Sequence, residues 1–115
     1  MSELILTAKV ESFATVLLPA LKNFPSFERH GIVAEIRTIM IKIVTNIKLA
    51  ESVKSKRLVY AQEADGYIEA LMATLRICKS KNFKYISNGF YTQLFVLYEE
   101  IKRLIVGFIK SAIKK

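Results

Sequence analysis

The chain has 115 residues, enough for one domain with a hydrophobic core, and we expect a single domain over residues 1–115. Its net charge of +8 favours anionic partners, either nucleic acid or an anionic membrane surface. The single cysteine, Cys78, excludes an intrachain disulfide. Because the N-terminus has no basic leader and no long stretch is free of charge, we expect a cytoplasmic protein without a transmembrane helix.

The apolar content of 52% is high for a soluble monomer of this size. A rich core is one explanation. Apolar surface buried between subunits is the other, since large apolar patches usually mark interaction sites. We favour the second explanation and therefore expect an oligomer.

Two predicted helices occupy the first half of the chain, over residues 2–23 and 27–52. Both carry apolar residues at the i, i+3, i+4, i+7 spacing of an amphipathic helix. Pro19 predicts a kink near the end of the first helix, and Ser26 is the expected N-cap of the second. The predicted core positions are Leu6, Val10, Phe13, Ala14, Leu17, Leu21, Ile32, Val33, Ile36, Met40, Ile43, Val44 and Ile47.

The second half predicts two more helices, over residues 56–80 and 87–114, with Ser87 as the N-cap of the last one. Their apolar faces again follow helical spacing. The predicted core positions are Leu58, Ala61, Ala64, Ile68, Leu71, Met72, Leu75, Cys78, Tyr91, Leu94, Phe95, Tyr98, Ile101, Ile105, Phe108 and Ala112.

Four helices joined by short turns predict an all-α fold, an up-down-up-down antiparallel four-helix bundle. This topology sorts the excess of Lys and Arg, which lies in the second half of the chain, into two groups. The first group, here the hinge pole, consists of Lys54, Lys56, Arg57, Lys110, Lys114 and Lys115. The second group, the turn pole, lies beside the turn at residues 24–31 and consists of Arg76, Lys79, Lys81 and Lys84.

Residues that support enzymatic chemistry are scarce, so we expect no catalytic site, no metal and no cofactor. His30 is the only histidine, and Cys78 falls on a predicted core face, so neither a metal site nor a nucleophile–base pair is indicated. The four glycines are scattered and form no phosphate loop. Glu63 and Glu69 do not share a helix face, which makes a solvated or intersubunit role more plausible than a carboxylate dyad.

The cations of the two poles are the candidate nucleic-acid-binding residues, since each could neutralise a phosphate. Their charge could equally serve only to solvate an apolar protein. The aromatic residues Tyr60, Phe83 and Tyr85 lie close to them in sequence and could stack single-stranded bases, although core edges use the same pattern.

Three segments resemble a known family. They are Phe24-Pro25-Ser26-Phe27-Glu28-Arg29-His30-Gly31, followed by Glu35-Ile36-Arg37 and Asn46-Ile47; Tyr85-Ile86-Ser87 with Tyr91; and Arg103-Leu104-Ile105-Val106-Gly107-Phe108-Ile109-Lys110. They are similar to the four-helix-bundle superfamily of the bacterial ribosomal-RNA intervening-sequence proteins and the Avd accessory proteins of diversity-generating retroelements. The second and third segments favour the Avd branch.

The resemblance implies a homopentameric ring of four-helix bundles whose basic surface contacts RNA or DNA and a reverse transcriptase. We therefore expect a non-enzymatic accessory protein with nucleic acid and reverse transcriptase as partners and no membrane contact. The alternative is a ribosome-associated or structural scaffold whose charge serves solubility. In the first segment, Arg29 and Arg37 could order the turn through ion pairs with Glu28 or Glu35.

Overall fold

The protein folds into four α-helices, which the computed structural model describes over residues 2–114, with side chains over residues 5–114. They are α1 (Ser2–Ala20), α2 (Ile32–Ser52), α3 (Arg57–Lys79) and α4 (Asn88–Ile113). α1 and α3 each pack against both α2 and α4, and α2 and α3 form the most extensive pair. The predicted four-helix bundle is confirmed.

The first two helices differ from the prediction at their ends. α1 stops one residue after Pro19 and continues as a 3₁₀ turn over Leu21–Asn23. α2 begins at Ile32 instead of residue 27, because Ser26–Glu28 forms a separate 3₁₀ turn. The prediction that Ser26 is the N-cap of α2 was therefore wrong. The residue in the N-cap position is Gly31, and the carboxylate of Glu28 accepts a hydrogen bond from Ile32 N at 3.2 Å.

The second pair of helices matches the prediction closely. A short 3₁₀ turn, Lys54–Lys56, links α2 to α3. Ser87 is the N-cap of α4, since its hydroxyl accepts a hydrogen bond from Phe90 N at 3.0 Å. This cap fixes the start of α4 directly after the turn pole.

The core is a single apolar cluster contributed by all four helices. Most of the predicted core positions are buried or pack against this cluster, whereas Phe95 is exposed on the surface of α4. On α2, Ile39 is buried whereas Ile41 is exposed, so apolar residues of this helix also occur on its outer face. None of the helices within the described residues is long and apolar enough to cross a membrane.

Candidate nucleic-acid interface

The bundle is elongated, with extents of 46 × 25 × 19 Å. The guanidinium of Arg57, at the start of α3, lies 5.4 Å from the ring centre of Phe108 near the end of α4. The ammonium of Lys79, at the end of α3, lies 5.2 Å from the ring of Tyr91 near the start of α4. These contacts place the hinge pole and the turn pole at opposite ends, farther apart than the screening length of about 8 Å at physiological salt.

At the hinge pole, Arg57 is engaged within the chain. Its guanidinium donates to the backbone oxygen of Ala50 at 3.1 Å and to that of Glu51 at 3.5 Å. These are carbonyls of the last turn of α2, where a cation also complements the helix dipole. With its ring contact to Phe108, Arg57 thus joins α2, α3 and α4.

The remaining hinge-pole cations are more open to solvent. Lys54 and Lys56 are exposed on the 3₁₀ turn, and Lys110 and Lys114 are exposed at the end of α4. None of these four forms an ion pair with another described residue. Lys115, which completes the predicted group, lies outside the described residues.

At the turn pole, three of the four predicted cations share one groove. It has a volume of about 540 Å³ and is lined by Lys79, Ser80, Lys81, Lys84, Ile86, Ser87 and Asn88. Arg76 is exposed one turn earlier on α3. The structure therefore brings lysines and hydroxyl groups together at the start of α4, an arrangement suited to an anion.

Tyr85 fixes the connection between α3 and α4 to the turn at residues 24–31. Its hydroxyl donates to Glu28 Oε2 at 2.8 Å, and its ring centre lies 5.2 Å from that of Phe24. The hydrogen bond to Glu28 raises the pKa of Tyr85 above its ordinary value, because it favours the protonated phenol. A Cβ atom on Gly31 would lie 2.7 Å from Glu28 Oε1, so a larger residue at this position would displace the Glu28 carboxylate.

Arg29 and Arg37 do not form the expected ion pairs. Among the described residues, neither is bonded to Glu28 or Glu35. Glu28 orders this turn through Tyr85 and Ile32 instead. The hydrogen bond between Tyr85 and Glu28 could not be predicted from sequence spacing, because the two residues are 57 positions apart.

The aromatic residues near the cations occupy different environments. Tyr60 and Tyr85 are partly buried and pack against the core. Phe83 is 41% exposed, with its ring edge-on to Tyr85 at 5.4 Å between centres. Phe27, which the sequence placed at the start of a helix, is 77% exposed in the middle of the 3₁₀ turn Ser26–Glu28.

An acidic cluster of α3 is paired within the chain. Lys102 Nζ lies 2.6 Å from Asp65 Oδ1 and 3.0 Å from Glu69 Oε2, and the Tyr98 hydroxyl donates to Glu69 at 2.6 Å. Partial burial alone would raise the pKa of Glu69, but the hydrogen bonds from Tyr98 and Lys102 outweigh it and the pKa is lowered. Asp65 and Glu69 thus bind α4 of the same chain. Glu63 and Glu69 are both exposed, in keeping with the solvated role expected for them, and Glu69 has the ion pair with Lys102 in addition.

Cys78 is fully buried in the core, as its position on the helix predicted. Burial, with a smaller contribution from Glu28, raises the pKa of its thiol to about 11. The thiol is therefore protonated at neutral pH and behaves as a small apolar side chain. Within the described residues, no group of His, Cys, Asp and Glu is arranged to hold a metal ion.

These features define a basic four-helix bundle with exposed lysines at both ends that form no ion pair with a described residue. A family model described as bAvd-like matches residues 4–112, and the chain belongs to this family. The family comprises accessory variability determinant proteins of diversity-generating retroelements, so the resemblance to the Avd branch is confirmed. Comparison with curated proteins and with solved structures gives no match.

Proposed function

We propose that this protein is a non-enzymatic accessory factor of a diversity-generating retroelement. It binds RNA or DNA through its basic poles while the reverse transcriptase docks on the same assembly. Family membership supports the retroelement context. The distribution of charge supports nucleic acid as a ligand.

The observation that carries the proposal is that exposed lysines cluster at each pole without carboxylate partners. Lys9, Lys48 and Lys102 form ion pairs with carboxylates of the same chain, and Lys42 in the middle of α2 lies 5.5 Å from the ring centre of Tyr67, whereas Arg37 and Arg103 form no ion pair with a described residue. At the poles, the exposed lysines have no such partner among the described residues. Each lysine that replaces a counterion on a phosphate adds to the salt dependence of binding.

We propose further that five chains form a ring, so that weak phosphate contacts on several subunits add to one strong interaction. The outer face of α3 supports a subunit contact. Val59, Gly66, Ala70 and Ile77 are exposed there at heptad-like spacing, and a shallow depression surrounds Gly66. A Cβ atom on Gly66 would meet nothing within 4 Å, so no contact within the chain requires a glycine in the middle of this helix.

Binding across a salt series tests the nucleic-acid part. The purified protein is titrated with a single-stranded RNA, a structured RNA and a duplex DNA between low and physiological salt. We expect micromolar or tighter binding with a steep log–log slope. No binding at low salt would mean that the charge only solvates the protein, and a scaffold role would replace the proposal.

The mass in solution tests the ring. We expect a mass of five chains for the wild type and a smaller mass for Gly66→Arg, which adds bulk and charge to the outer face of α3. Gly107→Arg is the matched control, because Gly107 is equally open but lies on the charged outer face of α4. A monomeric wild type would refute the ring, and a pentameric Gly66→Arg would exclude this face from the subunit contact.

Co-purification tests the enzyme partner. We expect a reverse transcriptase gene in the same retroelement, and its product is co-expressed with this protein and isolated through a tag on the enzyme. We expect this protein to be retained at physiological salt after nuclease treatment. Loss of the protein on nuclease treatment would show that nucleic acid alone holds the two together.

A further inference from the structure

Both basic poles carry several lysines, but the two poles differ in their aromatic residues. At the turn pole, Phe27 and Phe83 are 77% and 41% exposed. At the hinge pole, the ring next to Arg57 is Phe108, which is 7% exposed and covered by the guanidinium. Only the turn pole therefore offers exposed phenyl rings beside exposed lysines, within the part of the chain that the structure describes.

Both exposed rings stand on a fixed backbone. Phe83 N donates to Ser80 O at 3.0 Å, Lys84 N donates to the same oxygen at 2.8 Å, and the Phe83 ring abuts Tyr85. Phe27 precedes Glu28, whose carboxylate is held by Tyr85 and by Ile32 N. Since Tyr85 contacts both segments through Glu28 and Phe83, the two segments that carry the rings are braced against each other.

The cations of this surface flank Phe83. Lys81 and Lys84 lie two positions before it and one after it, are exposed, and line the groove together with Lys79. Neither Lys81 nor Lys84 forms an ion pair with a described residue. Phe83 therefore has an exposed lysine on each side of it in the sequence, and both of these lysines line the same groove.

We propose that the turn pole is a site for single-stranded nucleic acid, in which Phe83 stacks a base, Lys81 and Lys84 contact the adjoining phosphates, and Phe27 offers a second stacking surface. A phenyl ring can stack only on a base whose face is free, which a duplex does not provide except at its ends. Lysines alone do not distinguish the two forms, because both present phosphates. This inference rests on the proposed nucleic-acid binding and specifies the strand form and the pole.

The experiment compares a short single-stranded RNA, labelled with the fluorescent base 2-aminopurine, with a blunt-ended two-strand RNA duplex that contains the same sequence. Phe83→Ala and Phe27→Ala are measured beside the wild type at constant salt. We expect Phe83→Ala to weaken single-strand binding roughly tenfold and to abolish the change in 2-aminopurine fluorescence. Duplex affinity and the salt slope should not change, and Phe83→Trp should retain single-strand binding.

Phe95→Ala is the matched control, since Phe95 is also an exposed ring, 36% accessible, but has no lysine next to it in the sequence. Circular dichroism and thermal unfolding confirm that each variant is folded. Unchanged single-strand binding by Phe83→Ala and Phe27→Ala, or an equal loss for the duplex or in Phe95→Ala, would overturn the inference. The inference would also be overturned if Phe83→Ala and Phe27→Ala changed only the mass of the assembly, because the phenyl rings would then contact protein.

The wild type separates this inference from the proposed function. If the wild type binds neither RNA nor duplex, the proposed nucleic-acid binding itself fails. If the wild type binds both, and Phe83→Ala and Phe27→Ala bind with the same affinities as the wild type, only the turn-pole site fails.

Discussion

The hinge pole and the turn pole show how the same residue types are used differently at the two ends of one bundle. At the hinge pole, an arginine and a phenylalanine face each other and close the end of the core. At the turn pole, a tyrosine–glutamate pair braces the connections, and the phenylalanines and lysines remain outside. Charge in the sequence therefore indicates where an anion could be attracted, but burial decides which groups can reach it.

Removing the turn-pole lysines should have the largest effect. The triple variant Lys79→Gln, Lys81→Gln, Lys84→Gln should lower the log–log salt slope for single-stranded RNA by about 2 and the affinity at 0.1 M salt by on the order of 100-fold, if each lysine contacts one phosphate. The control is Lys54→Gln, Lys56→Gln, Lys110→Gln at the hinge pole. An equal loss in the control would mean that the two poles are equivalent.

Arg57→Ala should chiefly affect stability. Its guanidinium bonds the end of α2 and covers Phe108, and losing charged hydrogen bonds with a cation–π contact should cost about 2 kcal/mol in the free energy of unfolding. Lys54→Ala, three positions earlier and exposed, should change it by less than about 0.5 kcal/mol. Urea unfolding measures both, and equal values would remove the structural role assigned to Arg57.

Gly31→Ala tests the brace of the turn pole. The new Cβ would displace the Glu28 carboxylate and weaken its bonds to Ile32 and Tyr85, for a loss of about 1 kcal/mol. Gly107→Ala should instead raise stability by up to about 1 kcal/mol, because it adds helix propensity in open space. Thermal unfolding of the two variants should therefore shift in opposite directions. A stabilised Gly31→Ala would show that Glu28 does not need this space.

Lys84→Asn should separate binding from stability at the turn pole. Lys84 has φ 53°, a left-handed conformation that asparagine adopts more readily than lysine. We expect unchanged or slightly higher stability together with a salt slope reduced by about 0.7 for single-stranded RNA. A binding curve identical to the wild type would exclude Lys84 from the site.

The pH dependence of stability should report on the paired cluster between the poles and is the smallest effect. The folded protein lowers the pKa of Glu69, so its contribution is present above the unfolded value of about 4.5 and is lost as pH falls through the folded pKa. Below pH 4.5, the unfolding midpoint of Glu69→Gln should depend less on pH than that of the wild type. If the midpoint of the variant falls with pH as steeply as that of the wild type, Tyr98 and Lys102 do not hold this carboxylate in solution.

Helical periodicity was enough to predict four helices, most of the core and the Ser87 cap, because these depend on residues within a few turns of each other. The start of α2 was misplaced because Gly31 and Glu28, rather than the nearby Ser26, determine where that helix begins. Phe95 was wrongly predicted to be a core residue, because helical spacing shows which residues share a face but not where the neighbouring helix covers that face.

The candidate site was predictable in part for the same reason. Short connections alone place Lys79, Lys81 and Lys84 at one end, and the groove that they share follows from that placement. The sequence by itself determined the fold class, the family and the location of the charge, since composition, spacing and local motifs carry these. Only the tertiary structure decided that Arg57 closes one end while Phe27 and Phe83 stay exposed at the other, because burial depends on contacts between residues far apart in the chain.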